Sequence, residues 1–175
     1  MLILASASPR RQALLRQIGA SFRVMPTAAE ELGGRGLSPE ALVCENARRK
    51  ALAALPEAAG VPVLAADTVV SLDGEIFGKP RDGAEAEEML SRLSGRCHTV
   101  YTGVAVAAGR RMEVAAARTI VEFASLTAEK IRRYVATGEP LDKAGAYALD
   151  LVRSRLFARD HGGVVWLDGY DFSII

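Results

Sequence analysis

Two Ser-Pro steps, Ser8-Pro9 and Ser38-Pro39, punctuate the first third of the chain and leave it little choice of local structure. A serine hydroxyl caps a first helical turn, and the proline ring already holds the backbone angle which that turn requires. Ahead of the first step, the apolar run Leu2–Ala5 reads as a short buried strand; after it, a helix should run from Pro9 to about Ile18. Leu14, Leu15 and Ile18 mark the apolar face of that helix, and Gly19 supplies a stop. Phe22–Met25 suits a second strand, and the second Ser-Pro step opens a helix that should last to Pro56.

The alternation continues along the chain. VPVLAADTVVSLDGEIFGKP reads as an apolar strand, an Asp-Gly turn and a short return strand. Asp82 with Glu85 makes a capping box for a helix ending near Gly95. HTVYTGVAVAA and MEVAAARTIVEF form two strands joined across GRR, and Thr127 starts a helix closed by Gly138 and Pro140. Loop and short strands fill the remainder. Strands alternating with helices, together with hairpins, predict an α/β fold with a mixed sheet, as one domain or two closely packed lobes.

A net charge of +1 gives no bulk basic field for nucleic acid, so any anion site must be local. Cys44 and Cys97 stand far apart, without paired Cys/His spacing, which argues against a zinc site or a disulfide scaffold and for a reducing compartment. No apolar run approaches the roughly 20 residues that span a bilayer. The expectation is a soluble cytoplasmic protein that binds neither nucleic acid nor membrane.

Several polar residues sit where chemistry would explain them. Arg10 and Arg11 occupy a first helical turn, where the helix dipole already favours anions. Either they neutralise a phosphate chain held over the backbone N–H groups of the SASP turn, or they are solvated and pair with surface carboxylates. Asp67 lies in an apolar strand, an expensive place unless a metal, a lysine or a strand-end location offsets its desolvation. Such a carboxylate either caps a neighbouring loop or holds a metal and activates water. Thr68 places a hydroxyl on the other side of the strand, as a base contact or simply a β-former. Lys79 in GKP, Lys50 in ARRKA and Lys143 in LDKAGAY add more positive charge than one carboxylate substrate needs. Glu30 and Glu31 are either solvated or oxygen ligands for Mg²⁺ or Mn²⁺ together with Asp67. His98 and His161 have no legible catalytic partner, and no Walker-type loop or G-x-G-x-x-G is present.

Taken in order, ILASASPRRQALLRQIG, ENARRKA, AADTVVSLDGEIFGKP, LSGRCHTVYTGVAV and EPLDKAGAY closely resemble the Maf family of nucleoside triphosphate pyrophosphatases, also called septum formation inhibitor proteins. The resemblance implies a single domain over 1–175, with an elongated mixed β-sheet flanked by helices and two lobes with a central cleft (Maf/ITPase-like). It also implies a cytoplasmic hydrolase that uses a divalent metal, Mg²⁺ or Mn²⁺, to convert nucleoside triphosphates to monophosphate and pyrophosphate, and it allows a homodimer. By position, Ser8, Arg10 and Arg11 fall in the phosphate-binding signature. Glu31 falls at a loop acid, with Glu30 in place of the aspartate often found before it. Lys50, Asp67 and Lys79 fall at the polar positions of the cleft, with Asp67 as proton acceptor and, with Glu31, as metal ligand. Lys143 joins the substrate-binding set. Thr68 after the acid resembles the dTTP/UTP branch, whereas a glutamine there marks the 7-methyl-GTP branch. After KAGAY the dTTP/UTP branch usually continues Gly-Ile-Gln-Gly; here Asp150 stands in the glutamine's place, as a candidate substrate contact. The alternatives are a 7-methyl-GTP pyrophosphatase or a non-catalytic, nucleotide-binding regulator of septation.

Overall fold

The computed structural model describes residues 1–34, 36–147 and the backbone of 164–167. Its seven strands form one sheet in the order β2-β1-β3-β5-β6-β7, with β4 added to β3. The described residues gather into two compact units, Met1–Thr68 with Tyr101–Ala117, and Val69–Val100 with those described from Arg118 onward.

In the first unit, β1 (Leu2–Leu4) is parallel both to β2 (Phe22–Val24) and to the start of β3 (Val63–Leu72). Between β1 and β2 runs α1 (Pro9–Gln17), capped by Ser8 as the Ser-Pro step predicts. The apolar face expected of α1 is not the one it buries: Leu15 is buried, but Leu14 and Ile18 are 60% and 77% exposed. Leu14 and Ile18 are one turn apart on a face about 60–100° away from Leu15. The inward face instead carries Leu15 and, one turn earlier, Arg11, whose side chain bonds into the unit.

Ser38 caps α2 (Pro39–Ala54), accepting the Ala41 N–H at 3.2 Å, and a short 3₁₀ turn, Leu55–Glu57, carries the helix past its expected end. The inward face of α2 holds Ala47, Ala51 and Ala54, which meet Ile3, Ala65, Ala105 and Ala107 in the core of this unit. Small side chains on both sides let the helix lie close over the sheet. The limit is reached at Gly103 on β5 (Cys97–Ala108): a Cβ there would stand 2.3 Å from the carbonyl oxygen of Val43. A glycine within a strand marks such a close approach of another backbone.

In the second unit, Asp73 and Gly74 take φ of 53° and 83° and fold β3 back onto β4 (Glu75–Phe77), with Leu72 opposite Glu75. Positive φ at both turn residues is the hairpin geometry an Asp-Gly pair favours. Asp82 caps α3 (Gly83–Leu93), but Glu85 does not close the expected reciprocal box: its carboxylate accepts from the N–H and Nε of Arg81 instead. The end of β6 (Arg111–Phe123) runs parallel to β7 (Val164–Leu167), and α4 (Ala128–Val135) starts at Thr127 as predicted. Larger side chains fill this core, among them Leu72, Phe77, Leu90, Phe123 and Tyr147. No helix among the described residues is long and apolar enough to cross a membrane.

Candidate active site

Asp67 is the fifth residue of β3 and only 6% exposed. It lies mid-strand rather than at a strand end, yet the β1 ladder covers only Val63 and Leu64, so Asp67 sits beyond the reach of its neighbour. Two donors offset its desolvation. The Lys50 ammonium is 2.7 Å from Oδ1, and the Asn46 amide donates to Oδ2 at 3.0 Å. Of the explanations open for this buried acid, the lysine partner is present.

Lys50 would pass for a solvated helix residue, but its side chain is mostly buried and its ammonium also lies 2.6 Å from Glu31 Oε1. One cation thus joins two carboxylates, the buried Asp67 and the half-exposed Glu31. Asn46 repeats the connection one turn earlier on α2, accepting the Leu32 N–H at 2.7 Å while it donates to Asp67. Glu30 is exposed.

Arg11 faces inward from the SASP turn. Nη1 donates to Ser6 Oγ at 3.1 Å and to the Ala66 carbonyl at 2.8 Å, and Nη2 donates to Thr68 Oγ1 at 3.2 Å. Burial pulls its guanidinium below the ordinary value; attraction to Asp67 opposes this and repulsion from Arg10 adds to it. Thr68 Oγ1 is also 3.1 Å from Thr102 Oγ1, so a guanidinium and two hydroxyls form one chain beside Asp67. The first-turn amides of Ser8 and Arg11 are met by Ser6 Oγ and Ser8 Oγ. Arg10 is exposed and has no partner among the described residues. The two adjacent arginines therefore differ: the Arg11 side chain is bonded to the turn and to β3, and that of Arg10 is exposed.

Lys79 and Lys143 belong to the second unit. Lys79 is exposed and follows Gly78, whose carbonyl accepts the Gly145 N–H at 3.0 Å. Lys143 is buried, with its ammonium on the Glu139 carbonyl and, at 2.6 Å, on Asp142 Oδ1. Its charge is met within its own turn. In the same unit His98 is 3% exposed, 2.6 Å from the Tyr147 hydroxyl through Nε2 and edge-on to Phe123. Burial lowers the His98 pKa to about 4, opposed by a hydrogen bond with the Arg96 backbone, and pushes the Tyr147 phenol well above its usual range. Asp150 and His161 lie outside the described residues.

The ordered motifs have a measurable counterpart. A family model described as Maf-like protein matches residues 1–165. The chain belongs to the Maf family. A relative from Symbiobacterium thermophilum, named dTTP/UTP pyrophosphatase, is 52% identical over 161 residues, covering 92% of this chain and 83% of its own. Relatives of the same name from Pelotomaculum thermopropionicum and Myxococcus xanthus are 51% and 50% identical, each over 85% of this chain and 78% and 76% of their own.

Within this Maf chain, Asn46, Ser6 and Thr102 are the polar contacts that sequence reasoning passed over. Asn46 and Lys50 stand four apart, a spacing that puts both on one helix face, and Asn46 interrupts a buried stripe of apolar residues. That signal was available. Nothing local distinguishes Ser6 or Thr102 from ordinary turn and strand residues, because their partners lie on other elements.

Proposed function

We propose that this Maf protein is a nucleoside triphosphate pyrophosphatase that cleaves dTTP and UTP between the α and β phosphates, releasing the monophosphate and pyrophosphate. The observation that carries the reading is the buried Asp67, paired with Lys50 and held by Asn46. It stands in a chain about half identical to relatives named for that activity. A carboxylate with one donor on each oxygen keeps lone pairs free to accept a proton from an attacking water. Lys50 pairs with that carboxylate, and Arg10 offers an exposed cation to the polyphosphate, whose charge moves toward the departing pyrophosphate as the bond breaks. Thr68, held by Arg11, and Thr102, hydrogen-bonded to Thr68, offer hydroxyls to the carbonyl groups of a pyrimidine. Lys79 and Lys143 enter the reading through the resemblance alone.

A divalent cation fits the donor set. Glu31 and Asp67 are hard oxygen donors that already share one cationic group, the Lys50 ammonium. Among the described residues there is no cluster of three or more His, Cys, Asp or Glu able to cage a metal. Mg²⁺ is commonly held by one or two carboxylates together with substrate phosphates, which matches this pair. When bound by Glu31 and Asp67, Mg²⁺ or Mn²⁺ would supply charge neutralisation at the phosphates. The same reading carries a cytoplasmic location, supported by the free thiols of Cys44 and Cys97, and a homodimer, which analytical ultracentrifugation tests.

The test is product analysis. Purified protein with Mn²⁺ and a panel of dTTP, UTP, 7-methyl-GTP and the purine triphosphates should give monophosphate and pyrophosphate from dTTP and UTP. Orthophosphate as the primary product would point to a phosphohydrolase of another kind. Absence of any product would leave a nucleotide-binding regulator.

A further inference from the structure

Asn46 is 3% exposed, and a buried amide has to find partners. It has three contacts: the Leu32 N–H donates to Oδ1 at 2.7 Å, and Nδ2 donates to Asp67 Oδ2 at 3.0 Å and, more weakly, to the Leu32 carbonyl at 3.4 Å. The amide has only one orientation that satisfies them, because a backbone N–H can only donate and an ionised carboxylate can only accept. Lys50, one turn later, reaches the same two places, Asp67 through Oδ1 and the loop through Glu31. Thus α2 grips the loop and the acid at two points. The final torsion of an aspartate is broad, so a single donor leaves the carboxylate free to turn. Donors on both oxygens fix its plane.

We propose that Asn46 is a positioning residue for the hydrolysis: it holds the Asp67 carboxylate at the rotation that accepts the water's proton, and it locks the Glu31 loop to the same acid. The inference rests on the pyrophosphatase reading above. Asn46 contacts no cation assigned to the phosphates, so its loss should act on the chemical step and leave substrate binding nearly intact.

Two variants and one exchange measurement test this. Asn46→Leu keeps the side-chain size and removes all three bonds; Asn46→Asp keeps an acceptor for the Leu32 N–H but removes the donor to Asp67. Both should lower kcat for dTTP about 10–100-fold, the range for lost outer-shell partners, with KM little changed. Hydrogen exchange at the Leu32 amide should accelerate in Asn46→Leu alone. Wild-type kcat in Asn46→Asp would overturn the proposal. So would wild-type Asn46 side-chain protons that exchange as fast as those of an exposed asparagine, a readout that needs neither variant to fold. Absence of wild-type turnover would overturn the hydrolytic reading instead, which separates the two failures.

Discussion

Gly103→Ala tests whether the placement of α2 governs the site. A Cβ at Gly103 would lie 2.3 Å from the Val43 carbonyl oxygen, 2.4 Å from its carbon and 2.7 Å from the Cys44 nitrogen. All three are backbone atoms, so no rotamer change relieves the contact. Ordinary contact begins near 3.4 Å, and α2 must therefore move off β5 by about 1 Å. Forced overpacking of this kind costs about 1–3 kcal/mol, which for a chain of this size lowers Tm by roughly 2–12 °C. Asn46 and Lys50 ride on the displaced helix, within two turns of Val43. A misplacement of ~1 Å at reacting groups is enough for a loss of about 100-fold in rate. The assay is kcat for dTTP at a temperature well below the variant's melting transition, with circular dichroism confirming the fold. Wild-type kcat in a variant whose Tm has fallen would refute the idea that the helix sets the geometry of Asp67.

The adjacent arginines should part company. Arg10→Ala should raise the KM for triphosphate, more at low salt than at high, with Tm unchanged, because its partner is external and its interaction is screened. Arg11→Met leaves the Ala66 carbonyl and Thr68 hydroxyl without their donor and should cost about 1–3 kcal/mol in urea unfolding. Gly145→Ala should lower Tm, because Gly145 has φ of 68° and a Cβ would stand 2.7 Å from Val70 Cγ2. His98 is neutral when folded, with a pKa near 4 against 6.5 for the free group. Its stabilising contribution is therefore complete above pH 6.5, is lost as pH falls toward 4 and then levels off, with a slope of at most about 1.4 kcal/mol per pH unit. Urea midpoints of the wild type and His98→Phe between pH 7.5 and 4.5 should converge as the pH falls; parallel curves would remove His98 as the cause.

Legibility followed the range of the interaction. The two Ser-Pro starts, the Asp82 and Thr127 caps and the Asp73-Gly74 turn were readable because each depends on residues within a few positions. The buried face of α1 is not legible locally because its inward side carries Arg11, which satisfies its charge through the Ala66 carbonyl and two hydroxyls, contacts that reach as far as 57 residues along the chain. Asp67 stood out by its apolar setting, but whether metal, lysine or strand end offset its burial depended on a helix 17 residues earlier. Lys50 illustrates the converse: in sequence it is one cation beside two arginines, and only the fold, which brings Glu31 from the loop and Asp67 from β3, gives it two carboxylates. Gly103 carried a signal of its own, a glycine inside a β-branched strand, whose meaning appears once α2 is seen against it.

The central claim is that Asp67 takes the proton of the water that attacks the triphosphate. Its most direct test is Asp67→Asn, which keeps the shape of the side chain and removes the base. Single-turnover release of pyrophosphate from dTTP should fall by about 100- to 10,000-fold while equilibrium binding of dTTP stays near the wild-type value. Turnover close to wild type in that variant would contradict the account.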